Sequence, residues 1–141
     1  MAIKQLSVFV ENKQGSLHEI TDTLAKANIN MRSMSVADTS NYGIVRIIAD
    51  DPDGAKALLD KQGYAANVRL VNAFAVPDQP GGLAKVLNLL EGQGVNIEYM
   101  YALITSEAGK AYSVMRTGDT EQTDKILVEN GIELLEENKL N

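Results

Sequence analysis

Apolar and polar positions lay out one plan twice along the chain. Residues 3–10 (Ile-Lys-Gln-Leu-Ser-Val-Phe-Val) are rich in β-formers and predict a strand. The polar run Asn12-Lys13-Gln14-Gly15-Ser16 is a turn signal. Leu17, Ile20, Leu24 and Ala27 then recur at helical spacing, and Asn28 is a helix stop. Strands follow over 30–38 and 43–49, around the turn Asp38-Thr39-Ser40-Asn41. Asp51-Pro52-Asp53-Gly54 opens a second helix carrying Ala55, Leu58 and Leu59. Gly63 ends it, and residues 66–70 give a fourth strand.

The second half repeats the plan. A strand over 71–76 meets the turn Asp78-Gln79-Pro80-Gly81-Gly82. Leu83, Val86, Leu87 and Leu90 fall at i, i+3, i+4 and i+7 of a helix that stops at Gly94. Strands are expected near 96–105 and 110–116. Asp119-Thr120-Glu121 then opens a helix carrying Ile126 and Leu127, and Gly131 precedes a last strand over 132–135. The order is βαββαβ twice, an α+β plan of two ferredoxin-like units in tandem, with antiparallel sheets and helices on one face. The expected units are 1–70 and 71–141.

A shift of 66 residues aligns the halves. It sets Val10 on Val76, Gly15 on Gly81, Leu17 on Leu83, Leu24 on Leu90, Asn30 on Asn96 and Met34 on Met100. Carried further, it sets Thr39-Ser40 on Thr105-Ser106 and Gly43 on Gly109. Gly63 and Gly131 need two residues more, so the second copy is longer in its later part. Val68 to Val76 is a nearly continuous apolar run, which lets the last strand of one unit run straight into the first of the next. The strand near 96–105 is apolar on both faces, with Met100, Ala102 and Ile104 on one and Tyr99, Tyr101 and Leu103 on the other. Such a strand wants cover on both sides.

Composition removes whole classes of function. There are 141 residues with no Cys and one His, His18. Disulfides, thiolate metal sites and cysteine nucleophiles are therefore out, and no metal or other cofactor is expected. The formal net charge of −6 argues against nucleic-acid binding, which needs a basic face. No stretch is apolar enough to span a membrane, and a cytoplasmic location is the expectation. The acidity is one-sided. Residues 1–70 carry eight basic and eight acidic groups, whereas 71–141 carry five and eleven.

The chemistry lies in the two turns that precede the first helices. Glycine permits positive φ and close approach of a ligand to the backbone, and the first helical N–H groups favour a carboxylate or phosphate. A tight strand-to-helix turn accounts for the same residues without any ligand. Asn30 and Asn96 open the next strands. Their amides suit a zwitterion, although capping of a local turn uses the same residue type. The split βαβ order puts each Asn at the far end of the helix from its own unit's turn, so a shared groove between two units is what would employ it. No nucleophile–His–carboxylate set is visible, so no catalytic residue is assigned.

These residues resemble the ACT domain, a βαββαβ regulatory module that binds amino acids. The match is carried by Asp78-Gln79-Pro80-Gly81-Gly82-Leu83, Leu87, Leu90 and Gly94-Val95-Asn96-Ile97, and again by Asn12-Lys13-Gln14-Gly15-Ser16-Leu17 with Asn28-Ile29-Asn30-Met31. It is similar in particular to the module that ends serine-sensitive phosphoglycerate dehydrogenases. Gln14 stands where the family prefers Pro. The resemblance implies a free amino acid bound at an interface of paired units. Asp78 and Asn12 would meet the α-ammonium, the backbone around Gly81, Gly82 and Leu83 would hold the carboxylate, and Asn96 and Asn30 would close the site. Gln79, Pro80, Ile97, Gln14, Gly15, Ser16, Leu17 and Met31 complete the expected contact set. If one site works, the one on Asp78 and Gly81 is expected. The implied protein is a non-catalytic, oligomeric sensor acting on itself as a homodimer or on a partner enzyme. A ligand-free regulatory subunit of a biosynthetic enzyme is the alternative.

Overall fold

The computed structural model describes residues 2–38, 41–104 and 108–137. The elements are β1 (Ile3–Glu11), α1 (Ser16–Lys26), β2 (Met31–Asp38), β3 (Tyr42–Ala49), α2 (Pro52–Lys61), β4 (Ala65–Pro77), α3 (Gly82–Gly92), β5 (Ile97–Leu103), β6 (Lys110–Thr117) and α4 (Thr120–Glu129). The chain forms two compact units that divide between Arg69 and Leu70. The expected continuity of the central run holds, because β4 is a single strand of 13 residues.

In the N-terminal unit the strand order is β2-β3-β1-β4. β1 and β2 both run antiparallel to β3, in registers such as Val8↔Val45 and Met34↔Ile47. Alternate residues Leu6, Val8 and Val10 meet Val45, Ile47 and Ala49 on the helical face. There they pack on Ile20 and Leu24 of α1 and on Ala55 and Leu59 of α2. Leu17 and Ala27, which the spacing assigned to the apolar stripe, are exposed, so α1 is anchored by Ser16, Ile20 and Leu24.

The C-terminal unit has the same plan, with β6 between β4 and β5. The expected last strand over 132–135 is reduced to one bridge, Phe74↔Leu134, flanked by Ala75 N donating to Glu133 O and Leu135 N to Ala73 O. The core joins Phe74, Val76 and Met115 to Val86 and Leu90 of α3 and to Ile126 and Leu127 of α4. At the start of α4 this interior turns polar. Buried Asn72 donates to Thr120 O at 2.9 Å and to the Asp124 carboxylate at 2.7 Å, and accepts from the Thr117 hydroxyl at 3.0 Å. In the N-terminal unit the equivalent positions are Leu6, Ala49 and, for Thr123, Ala55.

Registers locate the length difference between the copies. Val10 pairs with Gly43, and Val76 pairs with Ala111. The structural counterpart of Gly43 is thus Ala111 and not Gly109, which corrects the alignment made from identities alone. The two additional residues lie between β5 and β6, ahead of Gly109. Thr39-Ser40 and Thr105-Ser106 fall outside the described residues. Before that point the shift of 66 holds in detail, and even the β-bulge recurs, between Met31 and Ser33 and between Ile97 and Tyr99.

The second helices share one cap. The Asp51 carboxylate accepts from Gly54 N at 3.0 Å, and that of Asp119 accepts from Gln122 N at 3.0 Å. Each satisfies a donor that the first turn would otherwise leave open. Asp51→Ala and Asp119→Ala are each expected to lower stability by about 1 kcal/mol in urea unfolding. A change of a few tenths or less in either would contradict that role.

Candidate functional site

The turns before α1 and α3 are built alike. Gly15 and Gly81 occupy the helix N-cap in the left-handed region, at φ 88° and 82°. In the first turn, Asn12 N donates to Asn41 O, Lys13 N to Glu11 O and Ser16 N to Lys13 O. In the second, Asp78 N donates to Gly109 O at 3.2 Å, Gln79 N to Pro77 O at 2.9 Å and Gly82 N to Gln79 O at 3.1 Å. A Cβ on Gly82 would stand 2.2 Å from Pro77 O, so this turn closes directly onto backbone. Neither α1 nor α3 has a side-chain cap, in contrast to α2 and α4. The N–H groups of Leu83 and Ala84 therefore lack an intrahelical acceptor at the positive end of the helix dipole.

In the C-terminal unit this turn opens into a groove of about 900 Å³. One wall is Gln79, Pro80, Gly81 and Gly82 with Lys85, Val86 and Leu89 of α3, and the other is Lys110, Asn130, Gly131, Ile132 and Glu133. Lys110 and Glu133 form an ion pair of 2.8 Å at the rim. The Asn130 amide turns back onto α4, donating to Ile126 O at 2.8 Å. Of the residues expected from sequence, Gln79, Pro80, Gly81 and Gly82 line the groove. Asp78 and Leu83 are exposed beside it and are not among its lining residues.

Asn96 is not brought to that turn. It is exposed and lines a separate depression of about 540 Å³ with Gly94, Asp119 and Thr123. Eleven residues of α3 lie between, which is roughly 16 Å of helix. Ile97 packs against the C-terminal core. In the N-terminal unit Asn12, Gln14, Gly15 and Leu17 are exposed and Ser16 is buried. Asn30 is exposed, with its N–H on the Asp50 carboxylate at 3.1 Å, and Met31 packs on the core. His18 is exposed on α1.

The copies differ where α1 and α3 face the segment after the second helix. In the N-terminal unit the Thr23 hydroxyl lies 2.8 Å from Glu19 O and 3.0 Å from the Gln62 side-chain carbonyl, which share its one proton, and Glu19 is near enough to the Tyr64 phenol to raise its pKa. The depression there, about 630 Å³, runs along Glu19, Thr23, Ala27 and Leu58 and does not include the Gly15 turn. The sequence reading missed Lys85, Leu89, Ile132 and Glu133 as groove residues. The shift that reveals the repeat was the signal for them, since it sets these residues against Glu19, Thr23, Tyr64 and Ala65.

Turn and strand order together define two ferredoxin-like units in tandem, each opening its first helix on a glycine without a side-chain cap. A family model described as an ACT domain pair matches residues 1–141. The chain belongs to that family, and the tandem ACT resemblance holds. No curated protein matches the chain. Among solved structures, the protein BT0572 from Bacteroides thetaiotaomicron is similar at 40% identity and TM-score 0.92, with 99% of this chain and 96% of that chain covered. The fold alone is shared with the regulatory subunit of aspartate kinase from Thermus thermophilus in its ligand-free form (13% identity, TM-score 0.68, 91% and 92% covered). It is shared likewise with the regulatory subunit of aspartate kinase from Thermus flavus (15%, 0.63, 89% and 90%). Among the described residues no cluster of His, Cys, Asp and Glu could hold a metal, and no helix is long and apolar enough to cross a membrane.

Burial, and then the hydrogen bond to Glu19, raise the Tyr64 phenol above its ordinary value, which is about 10. A raised folded value means that the stabilisation is complete below the unfolded value and is lost as pH rises through the folded one. Urea midpoints of the wild type should therefore fall more steeply above pH ~10 than those of Tyr64→Phe. Parallel pH profiles would contradict this placement of Tyr64.

Proposed function

We propose that this ACT domain pair is a non-catalytic regulatory protein that binds a free amino acid at the Asp78–Leu83 turn of its C-terminal unit. The observation that carries the reading is the start of α3. It is capped by a glycine, has no side-chain cap and lies beside a groove that also holds Lys85. A carboxylate satisfies the open first-turn donors and meets a favourable dipole. Asp78, exposed next to the turn, accepts from the α-ammonium. The chain has no cysteine, and its single histidine lies on α1 of the N-terminal unit.

The resemblance implies that an Asn-opened strand of another ACT unit completes such a site, and Asn96 is the residue that tests this part separately. Regulation follows from differential affinity, since a ligand shifts a partner or its own assembly only as far as it binds one state better than the other. Loss of a charged hydrogen bond costs about 1.5–3 kcal/mol, or roughly one to two decades of affinity.

A thermal-shift panel of the twenty amino acids, followed by calorimetry on the best, tests the proposal. Binding is expected, weakened tenfold or more by Asp78→Ala with the circular dichroism unchanged. A comparable loss in Asn96→Ala is expected from a completed site. A flat panel would contradict the reading and favour an interaction subunit without a ligand.

A further inference from the structure

We infer that the C-terminal groove takes the side chain of an aliphatic amino acid, of the valine, leucine, isoleucine or methionine class, and that polar side chains at the corresponding positions of the N-terminal unit disfavour such a ligand there. The inference rests on the reading above and names the ligand class of that site. It comes from comparing one cleft in two chemical versions within a single chain.

The repeat registers set Lys85 on Glu19, Leu89 on Thr23, Asn130 on Gln62 and Ile132 on Tyr64. In the N-terminal unit polar groups meet at those positions: the Thr23 hydroxyl and the Gln62 side-chain carbonyl are 3.0 Å apart, and Glu19 raises the Tyr64 phenol pKa. In the C-terminal unit neither pairing can form. Leu89 and Ile132 have no polar group to offer, and the Asn130 amide is engaged with Ile126 O. In their place is an open groove whose larger apolar lining is Val76, Val86, Leu89 and Ile132, beside the polar side chains of Gln79, Lys85, Asn88 and Asn130. The four apolar residues belong to or pack against the apolar core, so the groove is an extension of that core toward solvent.

Charge is confined to the edge. Lys110 and Glu133 answer each other. Lys85 stands one helical turn from Gly81 and lines the groove with it. The groove thus has a cationic pole for a carboxylate and an apolar trough beside it. A polar or charged side chain laid against Val86, Leu89 and Ile132 would give up water and gain no partner from those three. An aliphatic one gains at each methylene, and a hydrophobic pocket discriminates about tenfold or more per missing methylene.

Calorimetry on the full chain with L-leucine, L-isoleucine, L-valine and L-methionine against L-serine, L-aspartate and L-lysine tests the inference. The aliphatic set is expected to bind at least about tenfold tighter than the polar set. Grafting the N-terminal side chains with Lys85→Glu, Leu89→Thr, Asn130→Gln and Ile132→Tyr should remove that binding. Leu89→Thr alone should weaken it about tenfold and decides the matter if the graft does not fold. A polar amino acid bound as tightly as the aliphatic ones, or wild-type affinity in Leu89→Thr, would overturn the inference while leaving amino-acid binding in place. No binding by any amino acid would remove both.

Discussion

Gly81 turns the chain from β4 into α3 with a φ of 82°, a conformation that costs an L-residue with a Cβ roughly 1–2 kcal/mol. The same glycine leaves the helix start without the side-chain oxygen that Asp51 and Asp119 give to α2 and α4. Tight geometry and open donors are thus one constraint. A side chain long enough to cap α3 would be strained at this φ, and the glycine that adopts it without strain has no side chain to cap with. Gly15 imposes the same condition on α1, so the helix start is common to both units.

What separates the units is the surroundings of that shared turn. The N-terminal copy keeps an apolar interior under α2, with Leu6, Ala49 and Ala55, and polar side chains on its outer cleft. The C-terminal copy inverts this pattern. Asn72, Thr117 and Thr123 form a buried polar network at the start of α4, while the outer cleft is lined by Leu89 and Ile132. Buried polar groups are tolerated when satisfied, and here Asn72 uses both amide donors and its carbonyl. The network ties the start of α4 with buried hydrogen bonds, where α2 packs Ala55 and Leu59 on the apolar core and pairs Asp53 with Lys4 at the surface.

Much of the fold was legible because the signals were local and occurred twice. Leucine and valine spacing gave α1 and α3, the Asp-Pro and Asp-Thr starts gave α2 and α4, and the run from Val68 to Val76 gave the long β4. Three features were not legible for physical reasons. Leu17 and Leu83 satisfy helical spacing yet remain exposed, because the face they occupy is set by the turn before them. The extra residues between β5 and β6 were misplaced, because a chance glycine identity competed with a register that only pairing reveals. At the site, turn residues were readable from glycine and proline chemistry. The groove was not, because its walls come from α3 and from the segment after α4, about 45 residues apart in the chain.

The one-sided charge also falls on the C-terminal unit. The acidity sits in the copy whose groove is open, and several of its carboxylates are already engaged with Lys110, Asn72 or Gln122. Among the described residues, a groove opens from the Gly81 turn, and the proposal places the ligand there rather than at the Gly15 turn. Amide chemical-shift mapping of the full chain, titrated with the best-binding amino acid, tests it directly. Shifts are predicted to cluster at residues 79–89 and 130–133 and to leave 13–23 and 62–65 unmoved. Perturbation centred on the Gly15 turn, or equal at both turns, would contradict the account.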